Sequence, residues 1–312
     1  MILTRSLRFT SRFTDYFKSI DKLKGSATLD KASNVQSSPQ RKMPPPPPRR
    51  PIPNIKQIIL VASGKGGVGK STVSVNLAVA MSKLGRKVAL LDADVFGPSI
   101  PRLMGLTNQM ARTTSSGLLI PLLNHGVHCM SMGFLLENEK DAMVWRGMMV
   151  MKALQQLMFG VAWHPETDVL VVDMPPGTGD TQLTTCQLLN IDGALIVTTP
   201  QDIALADARK GITMFRKVNV PILGLVQNMS HFVCPQCHTE TPVFGKGGGD
   251  RLANDEGVKV LGNVPLHADI CHDSDKGRPV VLARSGTSLA SPYEEIAASV
   301  LSALDLKKQP ER

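Results

Sequence analysis

The chain has 312 residues, 42% of them hydrophobic, and a formal net charge of +9 at pH 7. The charge is uneven, because residues 1–56 carry 12 Lys or Arg and 3 acidic residues, whereas the rest of the chain carries 23 of each sign. The positive excess therefore belongs to the leader, and the general electrostatic argument for binding DNA or RNA does not hold for the remainder. No apolar run approaches the roughly 18 residues of a membrane span, so we expect no transmembrane segment.

The leader, residues 1–38, has the composition of a mitochondrial transit peptide. Its hydrophobic residues are interleaved with Arg5, Arg8 and Arg12, it is rich in serine, and it has few acidic residues. Asp15 fits this composition less well, and the alternative is a disordered basic tail on a cytosolic protein. We predict import into the mitochondrial matrix.

A proline-rich segment, residues 39–56, follows the leader. Its consecutive prolines, Pro44 to Pro48, lack backbone donors and favour polyproline II, which predicts a semi-rigid linker. The next segment, residues 57–308, has about 250 residues, which is the upper end of a single α/β domain. That length is sufficient to bury a hydrophobic core.

A glycine-rich motif follows the first apolar segment of this domain. Residues 64–72 read Gly-Lys-Gly-Gly-Val-Gly-Lys-Ser-Thr and fit the phosphate-binding pattern G-x-x-x-x-G-K-[ST]. Residues 57–62 before it are apolar and β-branched, as in a buried strand, and residues 71–84 after it have helical spacing that ends at Gly85. This order of strand, glycine loop and helix directs backbone N–H groups and a helix N-terminus at phosphates.

We therefore predict an ATP site at this loop. Lys70 is expected to reach the β- and γ-phosphates, and the Ser71 hydroxyl is expected to ligate Mg²⁺. The glycines permit positive φ angles and a close approach of the phosphates. The predicted nucleotide-binding residues are Gly64, Lys65, Gly66, Gly67, Val68, Gly69, Lys70, Ser71 and Thr72.

Lys65 is a second lysine at the start of the motif. The complete run resembles the deviant Walker A motif of the MinD, ParA and nitrogenase iron protein ATPases. In that group the first lysine crosses a dimer interface to the partner's nucleotide, so the resemblance implies a homodimer and a catalytic role for Lys65. The alternative is a solvated surface lysine.

Two acidic residues are predicted to follow buried strands at the nucleotide site. The segment 87–91 leads into Asp94, which we expect to orient the attacking water, and the apolar segment 169–172 ends in Asp173, which we expect to hold a Mg²⁺-bound water. The alternative for Asp94 is a solvated turn. A later strand leads into Asn228, whose amide can pair with both hydrogen-bonding edges of an adenine.

Strands and helices alternate along the domain. Strands are predicted at 57–62, 87–91, 168–173, 193–200 and 220–226, and helices at 71–84, 148–159 and 203–218. Residues 107–131 predict a small hairpin and one more strand. This alternation implies parallel crossover units. We predict an α/β fold of the P-loop NTPase class, SIMIBI or MinD-like, with a mostly parallel sheet flanked by helices.

Cys234 and Cys237 form a C-x-x-C pair in a glycine- and proline-rich loop. Such pairs occur in zinc sites, redox centres and iron–sulfur sites. A single zinc site would need further ligands, for which the candidates are His231, His238, Cys271 and His272. Two cysteines are also half of a Cys₄ set, and a twofold dimer would supply the other half. The isolated cysteines Cys129, Cys186 and Cys271 are expected to be buried.

The combined motifs are similar to those of the Mrp-type P-loop ATPases, which are iron–sulfur cluster carriers. The matching segments are 64–72, 92–99, 145–147, 173–180, 227–229 and the two cysteines of the C-x-x-C pair. With the transit-like leader, the chain most resembles the mitochondrial nucleotide-binding protein-like subgroup. The resemblance implies a homodimer that binds ATP and Mg²⁺, hydrolyses ATP slowly, and holds a labile [4Fe–4S] cluster between Cys234 and Cys237 of both chains. It also implies apo iron–sulfur proteins, complex I subunits and complex I assembly factors as partners.

Two other functions fit parts of the sequence. A ParA- or MinD-like positioning switch would use ATP to control surface binding, but residues 288–306 include Glu294 and Glu295 and do not form a basic amphipathic helix. A zinc-stabilised ATPase would use the cysteines for structure and transfer no cluster.

Overall fold

The computed structural model describes residues 49–135, 147–234, 236–237 and 239–306. The predicted transit peptide, most of the predicted linker, Trp145, Arg146 and His238 lie outside the described residues. Within them, no helix is both long enough and apolar enough to cross a membrane.

A sheet of eight strands forms the centre of the domain. The strands of the structure are β1 (Ile55–Ala62), β2 (Val88–Asp92), β3 (Leu122–Asn124), β4 (Val127–Met130), β5 (Thr167–Asp173), β6 (Gly193–Thr198), β7 (Ile222–Gln227), β8 (Phe232–Val233), β9 (Glu240–Thr241) and β10 (Val260–Asn263). The order in the main sheet is β10-β7-β6-β1-β5-β2-β4-β3, and all neighbouring pairs are parallel except β3 and β4, which are antiparallel. β8 and β9 form a separate antiparallel hairpin. The predicted α/β fold with a mostly parallel sheet is confirmed.

Nine α-helices lie in the part of the chain that the structure describes. They are α1 (Lys70–Lys83), α2 (Ile100–Leu103), α3 (Gly147–Phe159), α4 (Asp180–Leu188), α5 (Asp202–Lys217), α6 (Gly248–Glu256), α7 (Ala268–Asp275), α8 (Val280–Ala283) and α9 (Ser291–Leu306). A short 3-10 helix covers Met132–Phe134. α1 packs against α9, and α5 packs against α6.

The most apolar strands occupy the middle of the sheet. β1 lies between β5 and β6, and its last six residues are all buried, as expected for strands covered on both faces. Along β5, Asp173 pairs in register with Val61 on one side and with Asp92 on the other. The carboxyl ends of β1, β5 and β2 therefore meet at one edge, and the side chains that follow them are brought together there.

The predicted linker and the folded domain overlap in the structure. The Arg50 N–H donates to the Leu188 carbonyl over 2.8 Å, and Ile52 is buried in the core. β1 already begins at Ile55, so the last residues of the segment 39–56 pack onto the domain.

The region 107–131 contains the predicted hairpin, formed by β3 and β4, and β4 also extends the main sheet beside β2. Four elements between residues 248 and 283 lack a matching prediction, namely α6, β10, α7 and α8.

Candidate nucleotide site and cysteine hairpin

The glycine-rich loop joins the end of β1 to the start of α1 and lines a cavity of about 350 Å³. Eight of the nine predicted loop residues lie on its wall, together with Asp94. The lining residues are Ser63, Lys65, Gly66, Gly67, Val68, Gly69, Lys70, Ser71, Thr72, Asp94, Ser99, Leu103 and Pro176. The structure thus brings the predicted phosphate loop and the predicted water-orienting carboxylate to one cavity.

Gly64 is the predicted loop residue that does not line this cavity. A Cβ at this position would lie 2.3 Å from the backbone carbon of Asp207 and 2.7 Å from the backbone nitrogen of Ala208. Gly64 therefore allows the loop to rest directly on the backbone of α5. Its role in this structure is close packing.

Lys70 and Asp173 form the buried polar centre of the site. The Lys70 ammonium lies 2.7 Å from Oδ1 of Asp173, and Ser71 Oγ donates to Oδ2 over 2.6 Å. Ser74, one turn further along α1, also donates to Oδ1 over 2.6 Å. The carboxylate is fully buried, and these charge-assisted bonds compensate its desolvation. Ser74 is a site residue that the motif does not include.

Asp92 holds the start of α2 against the site. Its Oδ2 accepts hydrogen bonds from the N–H groups of Ser99 and Ile100 and from the Ser131 hydroxyl, at 3.0 to 3.2 Å. Complete burial, and then the neighbouring carboxylate of Asp173, raise the pKa of Asp92 from 3.8 to about 7.

Asp94 lies at the junction of two cavities. It is half-buried, and its Oδ1 accepts the Gly97 N–H over 3.2 Å. The second cavity, of about 490 Å³, is lined by Asp94, Phe96 and Pro176 among others, and the Phe96 side chain is 66% exposed. Asp94 also lines the cavity that holds the phosphate loop.

Asn228, which follows β7, also contacts the phosphate loop. Its Nδ2 donates to the Val68 carbonyl over 2.8 Å, and the side chain is buried. The two residues are separated by 160 positions in the sequence. The predicted adenine contact remains a prediction, since the amide donor of Asn228 is used by the loop in this structure.

The arrangement fits a nucleotide with Mg²⁺. Among the described residues, no heavy atom lies within 4 Å of where a Cβ at Gly66 or Gly67 would be, so this backbone is open to a ligand. Ser99 Oγ is buried without a hydrogen-bond partner in the described part of the chain. Ser71 and Asp173 provide hydroxyl and carboxylate oxygens, which Mg²⁺ prefers.

The C-x-x-C pair lies in the loop of the β8–β9 hairpin, which we call the cysteine hairpin (residues 232–241). Cys234 is half-buried and Cys237 is exposed, and both thiols are free. The Thr239 hydroxyl lies 3.3 Å from Sγ of Cys237, and this hydrogen bond lowers the pKa of Cys237 to about 7. The thiolate, which is the form that binds metals, is thus favoured.

Among the residues that the structure describes, no three His, Cys, Asp or Glu side chains are grouped closely enough to hold a metal ion. Cys129 and Cys186 are buried as predicted, and burial raises the pKa of Cys186 to about 12. The prediction for Cys271 is wrong: this residue is exposed on α7, where its thiol faces Asp275.

Curated relatives support one family. The family model described as "ParA: NUBPL iron-transfer P-loop NTPase" matches residues 54–301. The iron-sulfur cluster transfer protein NUBPL of Mus musculus is 53% identical over 265 residues, which cover 84% of this chain and 82% of the relative. The Arabidopsis thaliana "Iron-sulfur protein required for NADH dehydrogenase, mitochondrial" is 52% identical over 260 residues, or 82% of each chain. The iron-sulfur cluster carrier protein of Escherichia coli K12 is 48% identical over 253 residues, or 81% of this chain and 68% of the relative.

Solved structures of P-loop proteins are also similar to this chain. The nucleotide-binding protein of Archaeoglobus fulgidus, determined with ADP, is 40% identical with a TM-score of 0.64, covering 72% of this chain and 88% of that chain. MinD of Pyrococcus horikoshii, determined with Mg-ADP, has a TM-score of 0.58 at 21% identity, covering 82% of this chain and all of that chain, and shares the fold. The match over residues 54–301 includes both the phosphate loop and the cysteine hairpin. The chain therefore belongs to the ParA-type NUBPL iron-transfer P-loop NTPase family.

Proposed function

We propose that this protein is an ATP-binding carrier that assembles or delivers a [4Fe–4S] cluster to apo iron–sulfur proteins in the mitochondrial matrix. The observation that carries the proposal is the pair Cys234 and Cys237, two free thiols on a hairpin outside the main sheet. The hydrogen bond between Cys237 and Thr239 lowers the pKa of Cys237 to about 7, which favours the thiolate, the form that ligates iron.

The cluster is the cargo, and its ligands come from two chains. One chain offers two cysteines on the hairpin, whereas a [4Fe–4S] cluster takes four thiolates. A twofold axis beside the hairpin brings the same pair from a second copy, because every group at such an axis is duplicated. The same homodimer gives Lys65, which is half-buried beside the cavity, a partner nucleotide to contact.

The residues around the buried carboxylate of Asp173 bind and hydrolyse ATP in this proposal. Lys70 exchanges its contact with Asp173 for the β- and γ-phosphates, and the loop N–H groups cradle them. Ser71 and Asp173 would hold Mg²⁺, which would neutralise phosphate charge. Asp94 orients the attacking water. Hydrolysis is slow and is coupled to cluster transfer.

We propose that proteins of complex I receive the cluster. The Arabidopsis thaliana relative is named for NADH dehydrogenase and for the mitochondrion, and the mouse relative for cluster transfer. We assign complex I subunits and assembly factors as partners on this basis.

Residues 1–38 direct the import of the chain into mitochondria in this proposal. A chain without them should keep its nucleotide binding and remain in the cytosol. Delivery of the truncated chain to mitochondria would contradict that part of the proposal.

Anaerobic iron reconstitution tests the carrier function. The full chain should become brown, form a dimer, and hold about four irons per two chains. Cys234→Ala and Cys237→Ala should each remove the colour and the iron-dependent dimer, while nucleotide binding survives. Cys271→Ala is the matched control, since it removes an exposed thiol outside the hairpin and should load normally.

Iron, zinc and molecular mass should be measured on the same sample. A structural zinc site would be colourless, with about one metal per chain, and loss of a ligand would destabilise the fold. A colourless, zinc-loaded monomer would overturn the carrier proposal.

A further inference from the structure

The cysteine hairpin lies between β7 and α6 in the sequence. Gln227, the last residue of β7, and the adjacent Asn228 lie where the chain leaves the sheet toward the hairpin. The chain returns from the hairpin at Gly248 and Gly249, the first residues of α6. The contacts of these residues connect the hairpin with the phosphate loop.

The Asn228 side chain is packed tightly against the phosphate loop. Its amide nitrogen donates to the Val68 carbonyl over 2.8 Å, and a Cβ at Gly69 would lie only 2.1 Å from that nitrogen. The backbone N–H of Asn228 donates to the Thr198 carbonyl over 2.8 Å, which fixes its position on the sheet. A displacement of Val68 or Gly69 therefore moves the Asn228 side chain or breaks its bond.

Gln227 anchors the segment that follows the hairpin. Its buried amide accepts the Gly249 N–H through Oε1 over 2.8 Å and donates to Oδ1 of Asn263 through Nε2 over 2.8 Å. A Cβ at Gly249 would lie 2.2 Å from that Oε1, so the start of α6 rests directly on the amide. Gln227 thus fixes the start of α6, the helix that follows the hairpin in the sequence.

The outgoing strand of the hairpin is held by the segment after β10. The Ser230 N–H donates to the Val264 carbonyl over 2.9 Å, and the Leu266 N–H donates to the His231 carbonyl over 2.7 Å. The Val264 N–H in turn donates to the Gln227 carbonyl over 2.9 Å. The segment that leads into the hairpin and the helix that follows the hairpin are therefore both linked to Gln227.

We propose that Gln227 and Asn228 couple the phosphate loop to the cysteine hairpin, with Gln227 acting as a positioning residue for Cys234 and Cys237. Nucleotide bound at the phosphate loop changes the position of the Asn228 side chain. The adjacent Gln227 transmits this change to the segments that flank the hairpin. By reciprocity, ligation of the cysteines changes nucleotide affinity. This inference rests on the proposed function and supplies its link between ATP and cargo.

Thiol alkylation of the metal-free full chain tests the coupling without requiring a cluster. Iodoacetamide rates at Cys234 and Cys237 should be measured by peptide mass spectrometry, with and without a non-hydrolysable ATP analogue and Mg²⁺. In the wild type the nucleotide should change the rates by about fivefold, the low end of typical coupling. Cys271, on α7, is the internal reference and should not respond.

Gln227→Met removes both polar groups of the amide while nearly keeping its length. The variant should bind the analogue normally, and its thiol rates should no longer respond to it. Gln57→Met is the matched control, since Gln57 is equally buried at 5% exposure and its amide bonds the Leu304 carbonyl instead. This control should keep the full response. Asn263→Ala, at an exposed position, removes only the acceptor for Gln227 and should weaken the response even if Gln227→Met does not fold.

The coupling would be overturned if the alkylation rates of the wild type did not change on addition of the nucleotide. It would also be overturned if Gln227→Met or Asn263→Ala showed the same change in rate as the wild type. Failure of the proposed function would look different. A chain whose thiols respond to nucleotide but which loads no iron would overturn the carrier proposal and leave the coupling in place.

Discussion

The Lys70 ammonium lies 2.7 Å from Oδ1 of Asp173, and the two side chains are only 7% and 0% exposed. A lysine that is expected to face phosphates is thus held by a carboxylate from the neighbouring strand end. The bond keeps both charges compensated within the chain, because neither can be buried alone at low cost. In the proposed function, binding a triphosphate would exchange one anionic partner of Lys70 for another.

Lys70→Ala should abolish ATP binding and also lower the free energy of unfolding by about 3–5 kcal/mol, since Asp173 would be left buried without its cation. Lys65→Ala should leave nucleotide affinity near normal but suppress hydrolysis, because Lys65 is expected to act on the partner's nucleotide. Titration with a fluorescent ATP analogue and denaturant unfolding would measure both effects. Equal loss of binding in the two variants would contradict the role of Lys65 across the dimer.

Asp94→Asn should lower the turnover number more than it lowers nucleotide affinity, since orienting the attacking water matters chiefly in the transition state. Steady-state phosphate release and equilibrium binding would separate the two quantities. Asp202→Asn, an exposed carboxylate at the start of α5, is the control and should leave both unchanged. Wild-type turnover in Asp94→Asn would show that another group orients the water.

Gly69 and Gly85 form a matched pair for testing the contact with Asn228. Their φ angles are 80° and 85°, so alanine introduces similar backbone strain at both positions, about 1–2 kcal/mol. Only at Gly69 would the new Cβ meet Asn228, since no described heavy atom lies within 4 Å of a Cβ at Gly85. Gly69→Ala should therefore lose nucleotide binding, whereas Gly85→Ala should bind normally. Comparable binding in both variants would disprove the steric argument.

Asp92 should make stability fall as the pH rises from about 4 to about 7. Its pKa is raised from 3.8 to about 7 in the folded chain, so over this range the folded state keeps a proton that the unfolded state has lost. Asp92→Asn removes this titration. The free energy of unfolding of the wild type, relative to the variant, should therefore be highest near pH 4 and decline toward pH 7. A difference that is constant with pH, measured by denaturant unfolding, would contradict the assignment.

The parts of the fold that sequence predicts well are those with strong local patterns. β1 and β5 are runs of apolar, β-branched residues, and the phosphate loop has its own motif. α6 has no such pattern, because it opens with Gly248 and Gly249, which are poor helix formers. Those glycines are explained only by tertiary packing, since side chains there would collide with Pro200 and Gln227.

The candidate site also contains residues that local motifs predict and contacts that only the folded structure shows. Lys70, Ser71 and Asp173 follow from motifs that describe one element each, and the structure brings them together. The bond from Asn228 to Val68 joins residues 160 positions apart, and it depends on the parallel pairing of β1, β6 and β7. The alternation of strands and helices along the sequence predicts parallel pairing, but it does not say which strands become neighbours.

The sheet does not need the cysteine hairpin for its own closure. β7 and β10 are parallel neighbours, so the chain must cross over between them, and α6 provides that crossing after the hairpin has ended. Among the residues that the structure describes, the strand pairing of the hairpin is with itself and, through Phe232, with Leu266. Changes of length or of sequence in this loop should therefore leave the central sheet folded. In the proposed carrier, the ligands of the cargo and the residues around the nucleotide thus lie on separate structural units, joined at Gln227, the last residue of β7, and at Asn228, which follows it.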